Sequence, residues 1–216
     1  FRAGWESRVG EAVARMIAGD IDDLRATGIL DRAARPGDAF PSTANLLDAR
    51  GNLFDLAALL AGQPTIVTFY RGGWCPYCNL ELRAYQRRLA SITAMGAALV
   101  AVSPERPDAS LSMAEKNDLE FAVLSDVGGT LASALGIRFT LSDAVRPYYE
   151  KAGHALPERN GDGEWALPMP ATLVVDRGGR IVRAFIEPDY RRRTDPDEAI
   201  EALRALLVEA PRALAL

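Results

Sequence analysis

The first pattern in the chain is a helical one. Apolar side chains recur at intervals of three or four residues near the start of the chain, with acidic and basic residues between them: Trp5, Val9, Val13, Ile17, Ile21 and Leu24. This spacing predicts one amphipathic helix. Two uses of its apolar stripe stay open, namely packing on the body of its own domain and forming a homodimer contact.

The helical pattern ends at a junction. The run from Arg32 to Gly37 contains Pro36 and Gly37, which interrupt regular structure. We therefore divide the chain into an N-terminal amphipathic helix with its junction, residues 1–35, and a main domain, residues 36–216.

Strand and helix patterns alternate in the first half of the main domain. A turn-rich run between apolar flanks, residues 48–52, predicts a hairpin, and the short helix after it is predicted to end at Gly62. Residues 65–70 are β-rich and almost continuously apolar, as expected for a strand covered on both faces. A helix with a buried stripe from Leu82 to Ile92 and an apolar strand over residues 98–102 complete a βαβ unit.

The second half continues this alternation and closes on a hairpin and a helix. Helices are predicted over residues 109–117, 129–135 and 142–151, with a strand at 121–124 and a loop over 153–163. Two strands frame the turn at residues 177–179, and Asp195 is predicted to cap a final helix over residues 196–208.

Composition and charge exclude several classes of partner. The 216 residues carry a formal net charge of −4, which removes the usual electrostatic case for nucleic acid or an anionic membrane. The basic run Arg191-Arg192-Arg193 is interpreted as a solvated loop. No apolar stretch approaches the length of a membrane span and no signal-peptide pattern opens the chain, so we expect a soluble protein. Two cysteines without a larger disulfide framework suit the reducing cytoplasm.

Both cysteines lie where an apolar strand runs into a helix start, in the sequence Phe69-Tyr-Arg-Gly-Gly-Trp-Cys-Pro-Tyr-Cys78. The glycines permit a sharp turn, and the first amides of the helix favour a thiolate over a thiol. Residues three apart share a helix face, so the sulfurs of Cys75 and Cys78 can form a disulfide. The segment predicts a redox-active dithiol without a metal, because there is no third cysteine and the single histidine, His154, is distant in sequence.

The order of elements resembles the thioredoxin fold from about residue 37 to residue 207. The motif Trp74-Cys-Pro-Tyr-Cys78 is similar to the active-site motifs of thioredoxins and glutaredoxins. The segment from Pro170 to Asp176 resembles the one in which that superfamily places a cis proline opposite the disulfide, which would make Pro170 that proline. The resemblance implies an α/β, thioredoxin-like fold of the peroxiredoxin type, in which helices flank a central mixed sheet and an N-terminal helical extension precedes it.

Within this superfamily the closer resemblance is to peroxiredoxins of the alkyl hydroperoxide reductase and thiol-specific antioxidant group. When Phe69-Tyr70 is laid on their Phe-Tyr-Pro segment, Cys78 falls on the peroxide-attacking cysteine and Glu81 on the glutamate of their Cys-x-x-Glu. Three positions depart from that family. Arg71 stands at its proline, Cys75 at its threonine or serine, and Pro170 at its arginine.

The supporting residues leave the order of attack open. Pro76 suits the first helical position, which makes Cys75 the N-cap and the sulfur that attacks first, and we prefer this order. The resemblance instead makes Cys78 the attacker. Arg71 is either a guanidinium that holds the thiolate or a surface charge beside the site. Trp74 and Tyr77 predict an aromatic rim around the sulfurs.

We therefore expect an enzyme, a thiol–disulfide oxidoreductase of the antioxidant type that resembles thioredoxin-dependent peroxidases. It would cycle Cys75 and Cys78 between dithiol and disulfide, reduce protein disulfides or hydroperoxides, need no cofactor, and receive electrons from a thioredoxin-like or small-thiol donor. One alternative is a non-enzymatic redox-sensing or partner-binding module, in which the N-terminal helix or the exposed tyrosines Tyr148 and Tyr149 engage a partner. A metal-delivery or haem-delivery chaperone that uses the same thiols is another.

Overall fold

A computed structural model describes the backbone of residues 9–213 and the side chains of residues 9–208, so Trp5 of the predicted N-terminal helix lies outside the described residues. The first two helices are α1 (Glu11–Ala26) and α2 (Ile29–Arg32). Ile17 and Ile21 of α1 are buried in the same apolar cluster as Tyr70 and Leu82 of the main domain. The apolar stripe of α1 is therefore used for packing within the chain, while the domain boundary near residue 36 stays a prediction.

The main domain is built on a mixed, seven-stranded sheet. Its strands, in chain order, are β1 (Leu46–Leu47), β2 (Leu53–Phe54), β3 (Thr65–Phe69), β4 (Ala98–Ser103), β5 (Ala122–Ser125), β8 (Ala171–Val175) and β9 (Ile181–Ile186). Their spatial order is β2-β1-β5-β4-β3-β8-β9. Strands β3, β4 and β5 are parallel, whereas β8 runs antiparallel to β3. A separate antiparallel pair consists of β6 (Arg138–Thr140) and β7 (Ala166–Pro168).

Helices cover both faces of this sheet. They are α3 (Leu56–Gly62), α4 (Pro76–Ala94), α5 (Pro107–Lys116), α6 (Thr130–Ala134), α7 (Arg146–Lys151), α8 (Leu156–Asn160) and α9 (Pro196–Ala213). Every residue of β3 is buried, and its side chains alternate between two cores, Ile66 into one and Val67 into the other. This double burial explains why the β3 sequence is apolar throughout, and it makes β3 the rigid support of the segment that follows.

Most predicted elements are present. The β1–β2 hairpin, the β3–α4–β4 unit and the β8–β9 hairpin are confirmed. The backbone N–H of Asp197 donates to the Asp195 carboxylate at 3.0 Å, at the predicted start of the last helix. None of the helices in the described residues is long and apolar enough to cross a membrane.

Two parts of the fold differ from the prediction. The predicted loop over residues 153–163 contains the short helix α8, which begins beside Pro157. Strands β6 and β7 form a sheet of their own that the sequence did not predict. Elements this short contain too few residues to show a period, and the pairing of β6 with β7 joins positions far apart in the sequence.

Candidate active site

The dithiol lies at the carboxyl end of β3, where the chain turns into α4. Cys75 is the N-cap of α4 and Pro76 its first residue. Gly72, with φ 151°, makes the turn possible: a Cβ there would lie 2.3 Å from Nε1 of Trp74 and 2.9 Å from Cδ of Glu105. The turn therefore requires glycine at this position.

Two polar side chains that sequence analysis missed hold the turn in place. Glu105, which is 1% exposed, accepts the Gly73 backbone N–H at 2.7 Å. The side-chain amide of Asn79 donates to the carbonyl oxygens of Gly73 at 2.9 Å and Cys75 at 2.8 Å. Asn117 donates in turn to the Asn79 side-chain oxygen at 2.9 Å. The segment before the dithiol is thus fixed from two sides.

Arg193 reaches both sulfurs, contrary to the interpretation of Arg191-Arg192-Arg193 as a solvated loop. Its Nη2 lies 3.2 Å from Sγ of Cys78 and 3.9 Å from Sγ of Cys75. Its Nη1 donates to Oε2 of Glu81 at 2.5 Å. The Arg193 side chain is only 10% exposed. The guanidinium therefore bridges a buried carboxylate and the dithiol, although no periodic pattern or motif in the sequence indicates this.

Arg71 approaches the dithiol from the other side. It is 2% exposed, which excludes the alternative of a surface charge. Three aromatic rings surround its guanidinium, with Cζ 3.9 Å from the ring centroid of Tyr190, 5.1 Å from that of Trp74 and 5.6 Å from that of Tyr149. Arg71 also donates a hydrogen bond to the Tyr149 hydroxyl. We call Arg71, Trp74, Tyr149 and Tyr190 the arginine cage.

The cage changes the predicted roles of several aromatic residues. Tyr149 is 6% exposed and Tyr148 is half-buried, so the expectation that both tyrosines are exposed for a partner is wrong. Trp74 stacks on His154 with ring centroids 4.7 Å apart. Tyr77 packs edge-on against Tyr190 at 5.8 Å. The structure thus places Trp74 in the arginine cage and Tyr77 against the Tyr190 ring of that cage.

Both cysteines are free thiols that are almost fully buried, with Cys75 1% and Cys78 0% exposed. Burial raises the pKa of the Cys75 thiol. A hydrogen bond from the Cys78 thiol and the positive charge of Arg71, followed by that of Arg193, outweigh burial and bring this pKa down to about 6. The Cys75 side chain makes no regular capping bond to the helix, yet the nearby backbone N–H of Cys78 also favours its thiolate.

Cys78 behaves in the opposite way. Burial raises its pKa, and its hydrogen bond to Cys75 raises it further, against the lowering effect of Arg193. The backbone N–H of Arg71 also lowers the pKa of Cys78. A proline at position 71 would have no N–H, so the departure from the family pattern supplies a donor. These opposite shifts favour the state in which Cys75 carries the negative charge and Cys78 keeps its proton.

Glu81 and Pro170 lie beside the same cleft as Arg193. Burial raises the pKa of Glu81 to about 7, although the Arg193 charge opposes this rise. Glu81, Pro170 and Arg193 line a cleft of about 260 Å³. None of the peptide bonds among the described residues is cis, so the expectation of a cis Pro170 is wrong, and Pro170 is a trans proline that directly precedes β8. It still lies close to the dithiol because β8 pairs with β3.

Metal binding finds no support in this part of the chain. No group of three or more histidine, cysteine, aspartate or glutamate side chains in the described residues is arranged to hold a metal ion. The site itself contains two sulfurs, with a guanidinium group 3.2 Å from one of them.

Comparison with known proteins identifies the family of this chain. Residues 36–184 match the AhpC/TSA family. The chain belongs to the AhpC/TSA family. It is 29% identical over 149 residues to a protein of Mycobacterium tuberculosis (strain ATCC 25618 / H37Rv) that is named as a peroxiredoxin. The alignment covers 69% of this chain and 83% of the relative. It is 23% identical over 168 residues to the chloroplastic Peroxiredoxin Q of Suaeda salsa. This alignment covers 78% of this chain and 67% of that relative.

A solved structure shows the same fold. Peroxidoxin BcpB from Mycobacterium tuberculosis superposes with a TM-score of 0.63 at 21% identity, over 80% of this chain and 98% of that chain. The predicted thioredoxin-like, peroxiredoxin-type fold is therefore confirmed. Family membership together with the adjacent thiols makes the protein a thiol-dependent antioxidant oxidoreductase of the AhpC/TSA family.

The family match leaves part of the site outside its limits. Residues 36–184 include Arg71, both cysteines, Glu81 and Pro170. Tyr190 and Arg193 follow the matched region, and α1 precedes it. The guanidinium that contacts both sulfurs is thus supplied by the loop between β9 and α9, beyond the matched residues.

Proposed function

We propose that the protein reduces hydroperoxides with the Cys75/Cys78 dithiol. The contact of Arg193 with both sulfurs, at 3.2 Å and 3.9 Å, is the observation that supports this function best. Cleavage of an O–O bond places negative charge on the leaving oxygen, and a fixed guanidinium beside the attacking sulfur stabilises that charge. The family has an arginine at the position of Pro170. In this chain Arg193, from the β9–α9 loop, provides the guanidinium instead.

In the first step the Cys75 thiolate attacks one oxygen of the hydroperoxide. An S–O bond forms, the O–O bond breaks, and the second oxygen leaves as an alkoxide or hydroxide that takes up a proton as an alcohol or water. Cys75 becomes a sulfenic acid. We assign the attack to Cys75 because its pKa of about 6 makes it the charged member of the pair near neutral pH.

In the second step Cys78 resolves the sulfenic acid. Its thiol loses a proton, its sulfur attacks the Cys75 sulfur, the S–S bond forms, and the sulfenic hydroxyl leaves as water. Glu81 acts as a positioning residue, because it holds Arg193 through the Nη1 contact at 2.5 Å while Nη2 stays on the sulfurs. Asn79 and Glu105 position the preceding turn.

Two further electrons restore the dithiol. We propose a thioredoxin-like protein or a small thiol as the donor, and the cytoplasm as a compartment that keeps the pair reduced. Hydroperoxides are better oxidants for this site than protein disulfides. Arg193 lies beside both sulfurs, where it can stabilise the negative oxygen that leaves when a peroxide O–O bond breaks.

The test measures hydroperoxide consumption and sulfenic acid trapping for Cys75→Ser and Cys78→Ser separately. We expect Cys78→Ser to consume one equivalent of peroxide and to carry a trapped sulfenic acid on Cys75, and Cys75→Ser to react slowly. A trapped sulfenic acid on Cys78 in Cys75→Ser would reverse the order of attack. Failure of the reduced wild-type protein to consume hydroperoxide, with its thiols intact, would overturn the proposed function.

A further inference from the structure

Arg71 is a buried cation without a carboxylate partner. Of its side-chain nitrogens, Nη2 donates to the Tyr149 hydroxyl and Nε has no hydrogen-bond partner. No carboxylate oxygen in the described residues lies within 4.0 Å of its guanidinium, whereas Arg193 has Glu81 at 2.5 Å. Asp20 of α1 lines a cavity of about 20 Å³ next to the cage but makes no ion pair with Arg71. A group other than a carboxylate must therefore balance the positive charge of Arg71.

The Cys75 thiolate is the group that balances it. Arg71 lowers the pKa of Cys75 more than Arg193 does, and Cys75 in turn favours the charged form of Arg71. The other groups near the guanidinium are the phenols of Tyr149 and Tyr190 and the indole of Trp74, all neutral at physiological pH. In the dithiol state the cage thus encloses a cation that faces an anion.

Oxidation removes that anion. A disulfide between Cys75 and Cys78 carries no charge, so Arg71 becomes a buried cation with neutral neighbours. Such a charge is costly to keep out of water. Arg193 keeps Glu81 as a partner in both redox states and contributes less to this difference. The disulfide state is therefore destabilised relative to the dithiol, and a couple whose reduced form is stabilised is an oxidising one.

We propose that the Cys75/Cys78 couple is oxidising and passes its disulfide to glutathione-like or protein thiols of ordinary potential, without needing a strongly reducing donor. A client thiolate attacks one sulfur of the disulfide, a mixed disulfide forms, and the other sulfur leaves as a thiolate. A second client thiol then attacks the mixed disulfide, and a client disulfide and the Cys75/Cys78 dithiol are released. The source of the disulfide rests on the peroxide step of the proposed function. Together, the two steps convert one hydroperoxide and two client thiols into one alcohol, one water and one client disulfide.

The first experiment equilibrates the purified wild-type protein in glutathione redox buffers without peroxide, beside a thioredoxin in the same buffers. We expect the equilibrium to favour the dithiol at least about tenfold more than it does in the thioredoxin. This ratio corresponds to a reduction potential about 30 mV higher than that of the thioredoxin. An equilibrium equal to that of the thioredoxin, or further toward the disulfide, would overturn the proposal. Peroxide is absent, so this outcome is separate from any failure of peroxidase activity.

The second experiment assigns the effect to Arg71. We expect Arg71→Met to shift the equilibrium about tenfold toward the disulfide, Arg71→Lys to keep most of the wild-type value, and Arg50→Met, at an exposed turn, to change nothing. An unchanged equilibrium in Arg71→Met contradicts the assignment.

A third measurement needs no variant, and so it holds even where Arg71→Met does not fold. The urea midpoint of the reduced wild-type protein should exceed that of the oxidised protein, because a disulfide across so short a loop restrains the unfolded chain little and the buried cation opposes it. A more stable oxidised form would contradict the proposal.

Discussion

The two sides of the dithiol differ in how they hold a buried cation. On the polar side, Arg193 is paired with Glu81 and contacts both sulfurs. On the aromatic side, Arg71 is enclosed by Trp74, Tyr149 and Tyr190 and forms no ion pair within the described residues. Arg193 keeps its contact with the Glu81 carboxyl in every redox state, whereas Arg71 faces a charged group only while a thiolate is present.

This difference separates two tasks that a single arginine would have to combine. A guanidinium that stays in place through the cycle can stabilise charge on a leaving oxygen, because Glu81 holds it independently of the sulfurs. A guanidinium that depends on the thiolate lowers the pKa of that thiolate and sets the balance between dithiol and disulfide. We therefore expect variants on the polar side to affect turnover most and variants on the aromatic side to affect ionisation and potential most.

The largest expected effect is on the polar side. Replacing the guanidinium in Arg193→Met removes the donor beside both sulfurs, and we expect kcat/KM for hydroperoxide to fall about 10²- to 10³-fold. Arg192→Met is the matched control. The Arg192 side chain is next to Arg193 in the sequence, is 59% exposed and contacts neither sulfur. Stopped-flow or coupled peroxide assays measure both. Equal losses in the two variants would show that the loop as a whole, and not Arg193, matters.

The aromatic side should have the larger effect on thiolate formation. The pH profile of alkylation of the reduced protein should have a midpoint near the Cys75 pKa of about 6. We expect Arg71→Met to raise this midpoint by about 1 to 3 pH units, and Arg193→Met to raise it less. A larger rise in Arg193→Met would reverse the comparison between the two sides.

The same thiolate links stability to pH. The folded-state pKa of Cys75 lies below that of an unfolded cysteine, about 8.5, so the ionised thiol adds stability above that value. This contribution is lost as the pH falls from about 8.5 through about 6. Urea midpoints of reduced wild-type protein and Cys75→Ser should therefore diverge as the pH rises through this range. Parallel midpoints would contradict a lowered Cys75 pKa.

A smaller effect is expected at the wall of the cage. The ring of Tyr190 lies 3.9 Å from Cζ of Arg71, and its removal in Tyr190→Ala should cost about 2 kcal/mol of unfolding free energy through the lost cation–π contact. Tyr190→Phe keeps the ring and is the control. A Tyr190→Phe variant as unstable as Tyr190→Ala would instead assign the effect to the hydroxyl.

Local patterns predicted the local parts of this site. The apolar run of β3, the glycines and Pro76 predicted a strand, a turn and a helix start, and with them the adjacent sulfurs of Cys75 and Cys78. The polar side could not be predicted in the same way. Arg193 follows Cys78 by more than a hundred residues, and a basic run in a turn-rich segment has the same pattern whether it is solvated or buried.

The aromatic side of the site could not be predicted from the sequence for a related reason. Tyr149 lies in α7, which has six residues, and so short an element shows no buried stripe. Its burial depends on Arg71, which comes from a different part of the chain. The cis Pro170 was inferred from the superfamily resemblance, and its peptide bond is trans. Contacts between distant segments explain the positions of Arg193 and Tyr149, which local patterns did not predict.

The last expected effect concerns the carboxyl that is hydrogen-bonded to Arg193. Burial raises the pKa of Glu81 to about 7, above the ordinary value of about 4.3, so the folded state favours the neutral carboxyl. The stability that this preference provides is complete below pH 4.3 and is lost as the pH rises through 7. Glu81→Gln keeps an acceptor for Arg193 but does not titrate. Relative to its parent, it should therefore gain about 3 kcal/mol of stability between pH 4.3 and 7, opposite in sign to the Glu81 contribution it removes.

Cys75→Ser is the suitable parent for this measurement, because it removes the thiolate contribution that rises over an overlapping pH range. Glu198→Gln, an exposed carboxylate in the first turn of α9, is the matched control and should show no such trend. Urea midpoints at several pH values give the result. If Glu81→Gln loses stability as the pH rises, the ionised Glu81 stabilises the fold through Arg193, and the charge pair on the polar side is then a stabilising element as well as a positioning one.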